Sequence, residues 1–328
     1  RFFLGVAEGG IWPAILVLIS HWFPVQERAR AYAFWMANLA VSSIITQPLS
    51  GWIVSVSDWR MLFIVEGLLP FIIALPLWLI FIKDRPRDAH WCSEGERDYI
   101  ERSIAQDRAN EPAPGPFRDI FASGTIWKLV GVYFLIQVGF YGLNMWLPTL
   151  IKTLTKQGFG TVGLIAALPY LTAIVLLVLN GWAADRNRRY SRHVFFATTL
   201  ASVALVLSVF VAHASIVLSI VFICLAVGGA LAYDGPFWAS ASRVLPVALA
   251  GGSMGLINAL GNLGGYFGPF LGGYLQDRTG SFTATAVLFA GALFLAGLLV
   301  LTIRSRERPA AGVTVDLSPD LPPGGRLT

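Results

Sequence analysis

The feature that most constrains this chain is a series of apolar runs of about 20 residues that recurs along almost its whole length. A helix of that length crosses the roughly 30 Å of hydrocarbon in a bilayer. The runs are continuous and lack the ten-residue alternation of membrane barrels, so helices are predicted. Only 13% of the residues are charged and 55% are hydrophobic. The sequence predicts an all-α membrane protein with about nine spans, at 1–20, 31–56, 61–82, 126–150, 161–183, 193–212, 215–241, 247–275 and 283–303.

The distribution of lysine and arginine predicts the orientation of these spans. One side of the membrane would hold 19 of the 24 basic residues, and the other side would hold the remaining five: Arg1, Arg60, Lys152, Lys156 and Arg278. Because basic loops stay in the cytoplasm, the richer side is predicted to be cytoplasmic, and the C-terminus lies there. The net charge of +5 follows from this topology and gives no reason to expect nucleic-acid binding.

A charged, proline-rich stretch interrupts the spans and predicts the domain organisation. It runs from 83 to 125 and contains Ser93 to Ile100, a short surface helix, and a helix-breaking segment from Glu111 to Pro116. We expect a first membrane bundle at 1–82, a cytoplasmic linker at 83–125, a second bundle at 126–305 and a cytoplasmic tail at 306–328.

Two charged residues stand in the first apolar run. Arg1 and Glu8 are seven residues apart, which places them on one helix face, two turns or roughly 10 Å apart. A carboxylate inside the hydrocarbon costs roughly 2.5–3.5 kcal/mol, so it indicates a functional site. The alternative is that Glu8 pairs with another helix and only fixes packing, while Arg1 reaches the interface from a helix end.

Uncharged polar residues form stripes on four other spans. Such stripes are expected to face protein or water rather than lipid. The members are Trp35, Asn38, Ser42 and Thr46; Tyr133, Gln137, Tyr141, Asn144 and Pro148; Asp234, Trp238 and Ser242; and Asn258, Asn262 and Tyr266.

The sequence contains no pattern of an enzyme or a cofactor site. It has no glycine-rich phosphate loop, no nucleophile elbow and no His/Cys metal set, so no cofactor and no metal are expected. Cys92 falls in the linker and Cys224 in a span, so the two are not expected to form a disulfide.

Four segments resemble the major facilitator superfamily, and within it the anion:cation symporters that carry organic acids. Arg1-x3-Gly5-x2-Glu8-x4-Pro13 resembles the fourth transmembrane helix, and Trp22-Phe23-Pro24 with Arg28-Ala29-Arg30-Ala31 resembles the turn after it. Tyr141-Gly142-x3-Trp146-Leu147-Pro148 is similar to the seventh helix. Gly181-x3-Asp185-Arg186-x2-Arg189 resembles the gating loop between the eighth and ninth helices. The resemblance covers nearly the whole chain.

The resemblance implies a two-bundle transporter of which this chain holds the equivalents of helices four to twelve. Helices one to three would be missing, which agrees with an odd number of spans and a first residue other than methionine. The implied protein is a monomer with many spans in the plasma membrane. It would move a small organic anion together with protons, and the substrate would be a sugar acid, a tartrate or aldarate, or an aromatic carboxylate.

The same resemblance implies roles for individual residues. Asn38, Trp238 and Asn258 would bind the substrate, and Tyr141 and Asn144 join them from the polar stripe. Glu8 with Arg1 would carry the proton. Asp185, Arg186 and Arg189 would hold the cytoplasmic gate, either as a moving contact or as a fixed salt bridge. The two bundles would rock about a midplane site.

Three alternatives remain open at the level of sequence. They are a drug/proton antiporter, an anion exchanger of the same superfamily and an inactive truncated remnant. The first is disfavoured because Gln47-Pro48-Leu49-Ser50-Gly51 lacks the glycine-proline-glycine-glycine signature of the drug antiporters.

Overall fold

The structure is a computed structural model that describes residues 11–109, 116, 118–245 and 249–303. These residues form α-helices and contain no strand. The helices are α1 Ile11–Trp22, α2 Val25–Val56, α3 Trp59–Leu69, α4 Leu75–Phe81, α5 Glu94–Ala109, α6 Arg118–Ala122, α7 Gly124–Thr155, α8 Phe159–Asn187, α9 Tyr190–Val211, α10 Ile216–Ala232, α11 Asp234–Val244, α12 Ala250–Gly261, α13 Gly264–Thr279 and α14 Phe282–Leu301. A π-helical turn, Pro70–Ala74, joins α3 to α4.

Seven helical segments of the described residues are long and apolar enough to cross a membrane. They are Asn38–Val56, Trp59–Phe81, Gly124–Thr155, Phe159–Asn187, Tyr190–Val211, Ile216–Val244 and Phe282–Leu301. Each coincides with a predicted apolar run, which confirms the all-α membrane fold. Half of the predicted first span, residues 1–10, lies outside the described residues, as do Arg1, Glu8 and the tail from 304 onward.

The segment predicted as one span at 247–275 consists of two consecutive helices. α12 ends at Gly261, and α13 begins at Gly264. Each glycine in a helix interior costs about 1 kcal/mol relative to alanine, and three of them flank this point. The Asn262 side chain also donates to the Asn258 carbonyl at 2.9 Å, in competition with the backbone N–H. Gly261, Gly264 and Gly265 therefore favour the break in the helix at this point.

The centre of the C-terminal half is α7, which packs against α8, α10, α12, α13 and α14. Its apolar face is buried, and Ile136, Leu143 and Leu147 are almost fully enclosed. Gly139 and Gly142 allow α14 to approach, because a side-chain carbon at either would collide with Leu293 or Phe289. α7 continues without a break through Pro148. It therefore carries its polar stripe into the middle of the packed helices.

α2 and α8 run antiparallel and meet at a pair of glycines. A side-chain carbon at Gly51 would lie 2.6 Å from the Phe159 carbonyl and 2.9 Å from the Gly163 Cα. The two backbones are thus in direct contact near the ends that carry the Val56–Trp59 and Thr155–Phe159 connections. This contact joins the N-terminal helices to the C-terminal ones.

α3 and α4 present an apolar surface with no buried residue. Asp58 caps α3, since its carboxylate accepts the backbone N–H groups of Arg60 at 2.9 Å and Met61 at 3.0 Å. The one acidic residue of this segment, Glu66, accepts a short hydrogen bond from the Ser50 hydroxyl of α2. That bond satisfies one oxygen of a carboxylate that would otherwise be costly in lipid.

The predicted surface helix in the linker is present as α5, and a capping box starts it. The Ser93 hydroxyl donates to the Glu96 carboxylate at 2.7 Å, and the Ser93 backbone N–H donates at 3.1 Å. These bonds lower the pKa of Glu96 because they favour its charged form. The Tyr99 hydroxyl donates to the Glu27 carboxylate of α2 at 3.0 Å. Because only the neutral phenol can donate this bond, the bond raises the pKa of Tyr99. α5 is therefore attached to the membrane helices.

Candidate functional site

A break between α10 and α11 supplies the first part of the candidate site. Pro236 has no N–H, so the Ala232 carbonyl cannot receive the usual helix hydrogen bond from the residue four positions later. The Asn180 amide of α8 donates to this carbonyl instead, at 2.8 Å. The Asn180 carbonyl oxygen is in turn 2.9 Å from Nδ1 of His193 on α9. Three helices thus fix the backbone at which the segment Tyr233–Trp238 begins.

An aromatic wall follows the break. The Tyr133 ring on α7 stacks on Phe237 with ring centroids 5.3 Å apart, and it meets Trp238 edge-on, also at 5.3 Å. Tyr133 and Phe237 are buried, whereas Trp238 is half-buried. Trp238 therefore keeps part of its surface free, backed by two packed rings.

A chain of amides and hydroxyls runs beside this wall. The Gln137 side-chain amide donates to the Asn262 side-chain oxygen at 2.8 Å, and the Tyr233 hydroxyl donates to the Gln137 oxygen at 3.3 Å. The Asn262 amide continues the chain to the side-chain oxygen of Asn258, at 2.9 Å. Gln137 and Tyr233 are almost completely buried. The network connects α7, α12 and the α10–α11 junction.

The structure places the predicted substrate residues in three environments. Trp238 belongs to the aromatic wall, and Asn258 belongs to the amide chain beside it. Tyr141 and Asn144 lie one to two turns further along α7, where Tyr141 packs on Gly265. Asn38 is exposed on α2 and donates a short hydrogen bond to the Trp35 carbonyl of its own helix.

Asn144 approaches a second polar cluster where α2, α7 and α8 meet. The Tyr170 side chain of α8 is fully buried there. Its hydroxyl lies close to the side chains of Ser43, Gln47 and Asn144, without a hydrogen bond of normal geometry. The α2 residues that face α8 are therefore Ser43 and Gln47, one position beyond the predicted stripe. Ser42 and Thr46 of that stripe are exposed and bond to carbonyls of their own helix.

The predicted gate residues lie at the end of α8 and the start of α9. Asp185 accepts a hydrogen bond from the Tyr190 hydroxyl at 3.1 Å, and the Arg243 guanidinium of α11 donates to the same hydroxyl at 3.3 Å. Arg186 extends over the Trp182 ring, 5.7 Å from its centre. Among the described residues the ion pairs are elsewhere, at Arg60–Asp58, Arg87–Asp88 and Arg102–Asp98. The Tyr190 hydroxyl thus connects the Asp185 carboxylate to the Arg243 guanidinium of α11. The gating role of Asp185 stays a prediction.

Four further residues of the site were not predicted as binding groups. Tyr133 forms part of the aromatic wall, and Gln137 and Tyr233 form part of the amide chain. Asp234 lies next to Trp238 of the wall. The signal for the first two was present, since they share the helical stripe of Tyr141 and Asn144. Tyr233 and Asp234 stand directly before Gly235 and Pro236. The Gly-Pro pair indicates a break in the helix, but it does not indicate where the neighbouring side chains point.

This arrangement suits binding better than bond chemistry. It offers amide and hydroxyl donors, an indole and an apolar wall. The described residues contain no group of three His, Cys, Asp or Glu side chains that would hold a metal ion. A polar interior among membrane-length helices defines the chain as a multi-pass membrane protein with an internal binding site as its candidate site.

Comparison with known proteins places the chain in one family. It matches the sequence model of the Major Facilitator Superfamily over residues 1–269 and again over residues 156–319. It is 33% identical over 319 residues to a putative tartrate transporter of Agrobacterium vitis, an alignment covering 95% of this chain and 70% of that one. The chain belongs to the Major Facilitator Superfamily, whose members are transporters rather than enzymes.

Two further comparisons agree with this assignment. A quinolone resistance transporter of Acinetobacter baumannii is 31% identical over 312 residues, with 92% of this chain and 70% of that chain aligned. The solved structure of the proton:xylose symporter XylE shares the fold with a TM-score of 0.61 at 15% identity, covering 88% of this chain and 67% of that one.

Proposed function

We propose that the full-length protein is a proton-coupled symporter that takes up a small organic anion. The observation that carries this proposal is the amide chain from Asn258 to Gln137 beside the partly free Trp238 ring. Amide and hydroxyl donors suit the oxygens of a carboxylate or a hydroxy acid, and an indole face suits the carbon skeleton. The similarity to a putative tartrate transporter supports the same substrate class.

The proposed transport cycle uses the residues as the sequence predicts them. Asn38, Tyr141, Asn144, Trp238 and Asn258 bind the anion between two helix bundles. Glu8 carries the proton with Arg1 beside it, and Asp185, Arg186 and Arg189 close the cytoplasmic side. The protein works as a monomer in the plasma membrane with its C-terminus in the cytoplasm.

The test is uptake of labelled tartrate and glucarate by proteoliposomes that contain the full-length protein. An inward proton gradient should drive accumulation above the external concentration. Asn258→Ala should weaken binding about 5- to 100-fold, because it removes an amide hydrogen bond to the charged substrate that contributes about 1–3 kcal/mol. Trp238→Ala should do the same through the lost indole surface. Uptake that does not respond to the proton gradient would contradict the proposal.

One observation favours a second candidate, a drug/proton antiporter. The relative from Acinetobacter baumannii is named for quinolone resistance. The same proteoliposomes distinguish the two functions by the direction of coupling. An antiporter accumulates a quinolone inside vesicles when the proton gradient is directed outward, and it leaves tartrate uptake at the level of empty vesicles.

A further inference from the structure

Asp234 is a carboxylate in the interior of the candidate site that the proposed cycle does not use. It opens α11, inside the membrane-length segment Ile216–Val244. The Trp238 indole, one helical turn further along α11, lies close to its carboxylate. Its side chain is half-buried, so it is enclosed by the helices without being sealed from the space beside Trp238.

The other titratable groups that face Asp234 are phenols. Tyr133 of α7 and Tyr233 at the end of α10 interact with it electrostatically. On α9, His193 is engaged with Asn180 and Tyr190 with Asp185. On α11 itself, Arg243 is directed to Tyr190. Among the described residues, therefore, no lysine or arginine forms a salt bridge with this carboxylate.

An unpaired carboxylate one helical turn from Trp238 affects any anion bound there. Two carboxylates that share an enclosed site cannot easily both be ionised, because the low dielectric leaves their repulsion unscreened. A protonated Asp234 reverses the effect, since its O–H becomes a donor to the substrate carboxylate. The charge state of this one side chain thus decides whether the site repels an anion or binds it.

We propose that Asp234 is a proton-binding group of the C-terminal half, and that its protonation is required for an organic anion to bind beside Trp238. The inference rests on the proposed function, because it assumes that the substrate is an anion bound at that residue. The proton comes from the bulk solution, binds with the anion and is released with it, so this site contributes one proton for each anion. By linkage, the anion and the proton each raise the affinity for the other by the same factor.

The experiment measures the affinity of the purified full-length protein for labelled tartrate between pH 5.5 and 8.5. In the wild type we expect the affinity to fall by up to about tenfold for each pH unit on the alkaline side. Asp234→Asn should lower by about one the number of protons that bind together with the anion, and so flatten the dependence of affinity on pH. It should bind tartrate at pH 8 at least as tightly as the wild type. Asp234→Glu keeps the titrating carboxyl and should keep the dependence.

Asp277→Asn is the matched control, because it makes the same chemical change at an exposed position at the end of α13. It should leave the pH dependence unchanged. If Asp234→Asn binds tartrate with the wild-type pH dependence, the inference is overturned while the proposed function stands. If the wild type binds neither tartrate nor glucarate at any pH, the proposed function fails and the inference fails with it.

A second measurement needs no variant and therefore does not depend on the folding of one. A hydrophobic carbodiimide reacts with protonated carboxyl groups, and mass spectrometry of the digested wild-type protein locates the adduct. We expect labelling of Asp234 at pH 6 and protection by tartrate. An Asp234 peptide without adduct down to pH 5.5 would overturn the inference.

Discussion

At the scale of single residues, Gly261 determines where the Tyr133 ring can lie. A side-chain carbon at Gly261 would overlap the Tyr133 ring, which Phe237 and Trp238 already hold. Gly261→Ala should destabilise the protein by about 1–3 kcal/mol, as overpacking does in other cores, and should weaken tartrate binding. Gly255→Ala on the same helix is the control, because that position has open space. Equal melting temperatures for the two variants in detergent would contradict this account.

At the scale of elements, Asn180 substitutes for the backbone donor that Pro236 lacks. Asn180→Ala should destabilise the α10–α11 junction by about 1–3 kcal/mol, because it leaves the Ala232 carbonyl unpaired inside the membrane. Asn187→Ala is the control, because its amide makes only a 3.5 Å contact to His193 at an exposed position. Denaturation in detergent and tartrate affinity measure the two effects.

The double variant Asn180→Ala with Pro236→Ala sharpens this experiment. The alanine restores an N–H four residues after Ala232, so part of the lost stability should return. If the double variant is no more stable than Asn180→Ala, the role assigned to the Ala232 carbonyl is wrong.

At the scale of the whole molecule, the contact between α2 and α8 joins the two halves of the described chain. A side-chain carbon at Gly163 would collide with the Gln47 carbonyl of α2 and lie 3.0 Å from the Gly51 Cα. Since both obstacles are backbone atoms, Gly163→Ala must separate the helices. We expect slower tartrate uptake and a loss of about 1–3 kcal/mol in stability. Gly160→Ala on the same helix brings the new carbon only to ordinary contact distance, 3.5 Å from the Ser55 hydroxyl, and should behave as the wild type. Equal uptake by both variants would contradict the prediction.

The sequence predicted those features that depend on local pattern. The spans from α7 to α10 follow from apolar length alone, and α5 follows from the charged stretch that begins at Ser93. The break at Asn262 does not follow from apolar length, because it depends on the combined cost of Gly261, Gly264 and Gly265 within one helix.

The site was predicted less well than the fold, because its contacts join residues that are distant in sequence. Gln137 bonds to Asn262, 125 positions away, and Asn180 bonds to Ala232, 52 positions away. No periodicity indicates such partners. Trp238 and Asn258 were predicted from the family resemblance. The structure places Trp238 on the aromatic wall and Asn258 on the amide chain beside it, and their binding role stays a prediction. Asn38 stays a prediction on an exposed helix face.

The glycine contact between α2 and α8 also has a mechanical consequence. With only hydrogen atoms between the two backbones, the helices can neither approach nor slide much at Gly51 and Gly163, so a relative motion of the two helices would have to be a turn about this point. Asn180 lies on the same helix as Gly163, 17 residues further along, which is about 25 Å. On a lever arm of that length, a turn of about 10° moves the helix by about 4 Å, more than the width of a water molecule. A small turn at the contact of Gly51 with Gly163 would thus open a gap beside α8 near Asn180.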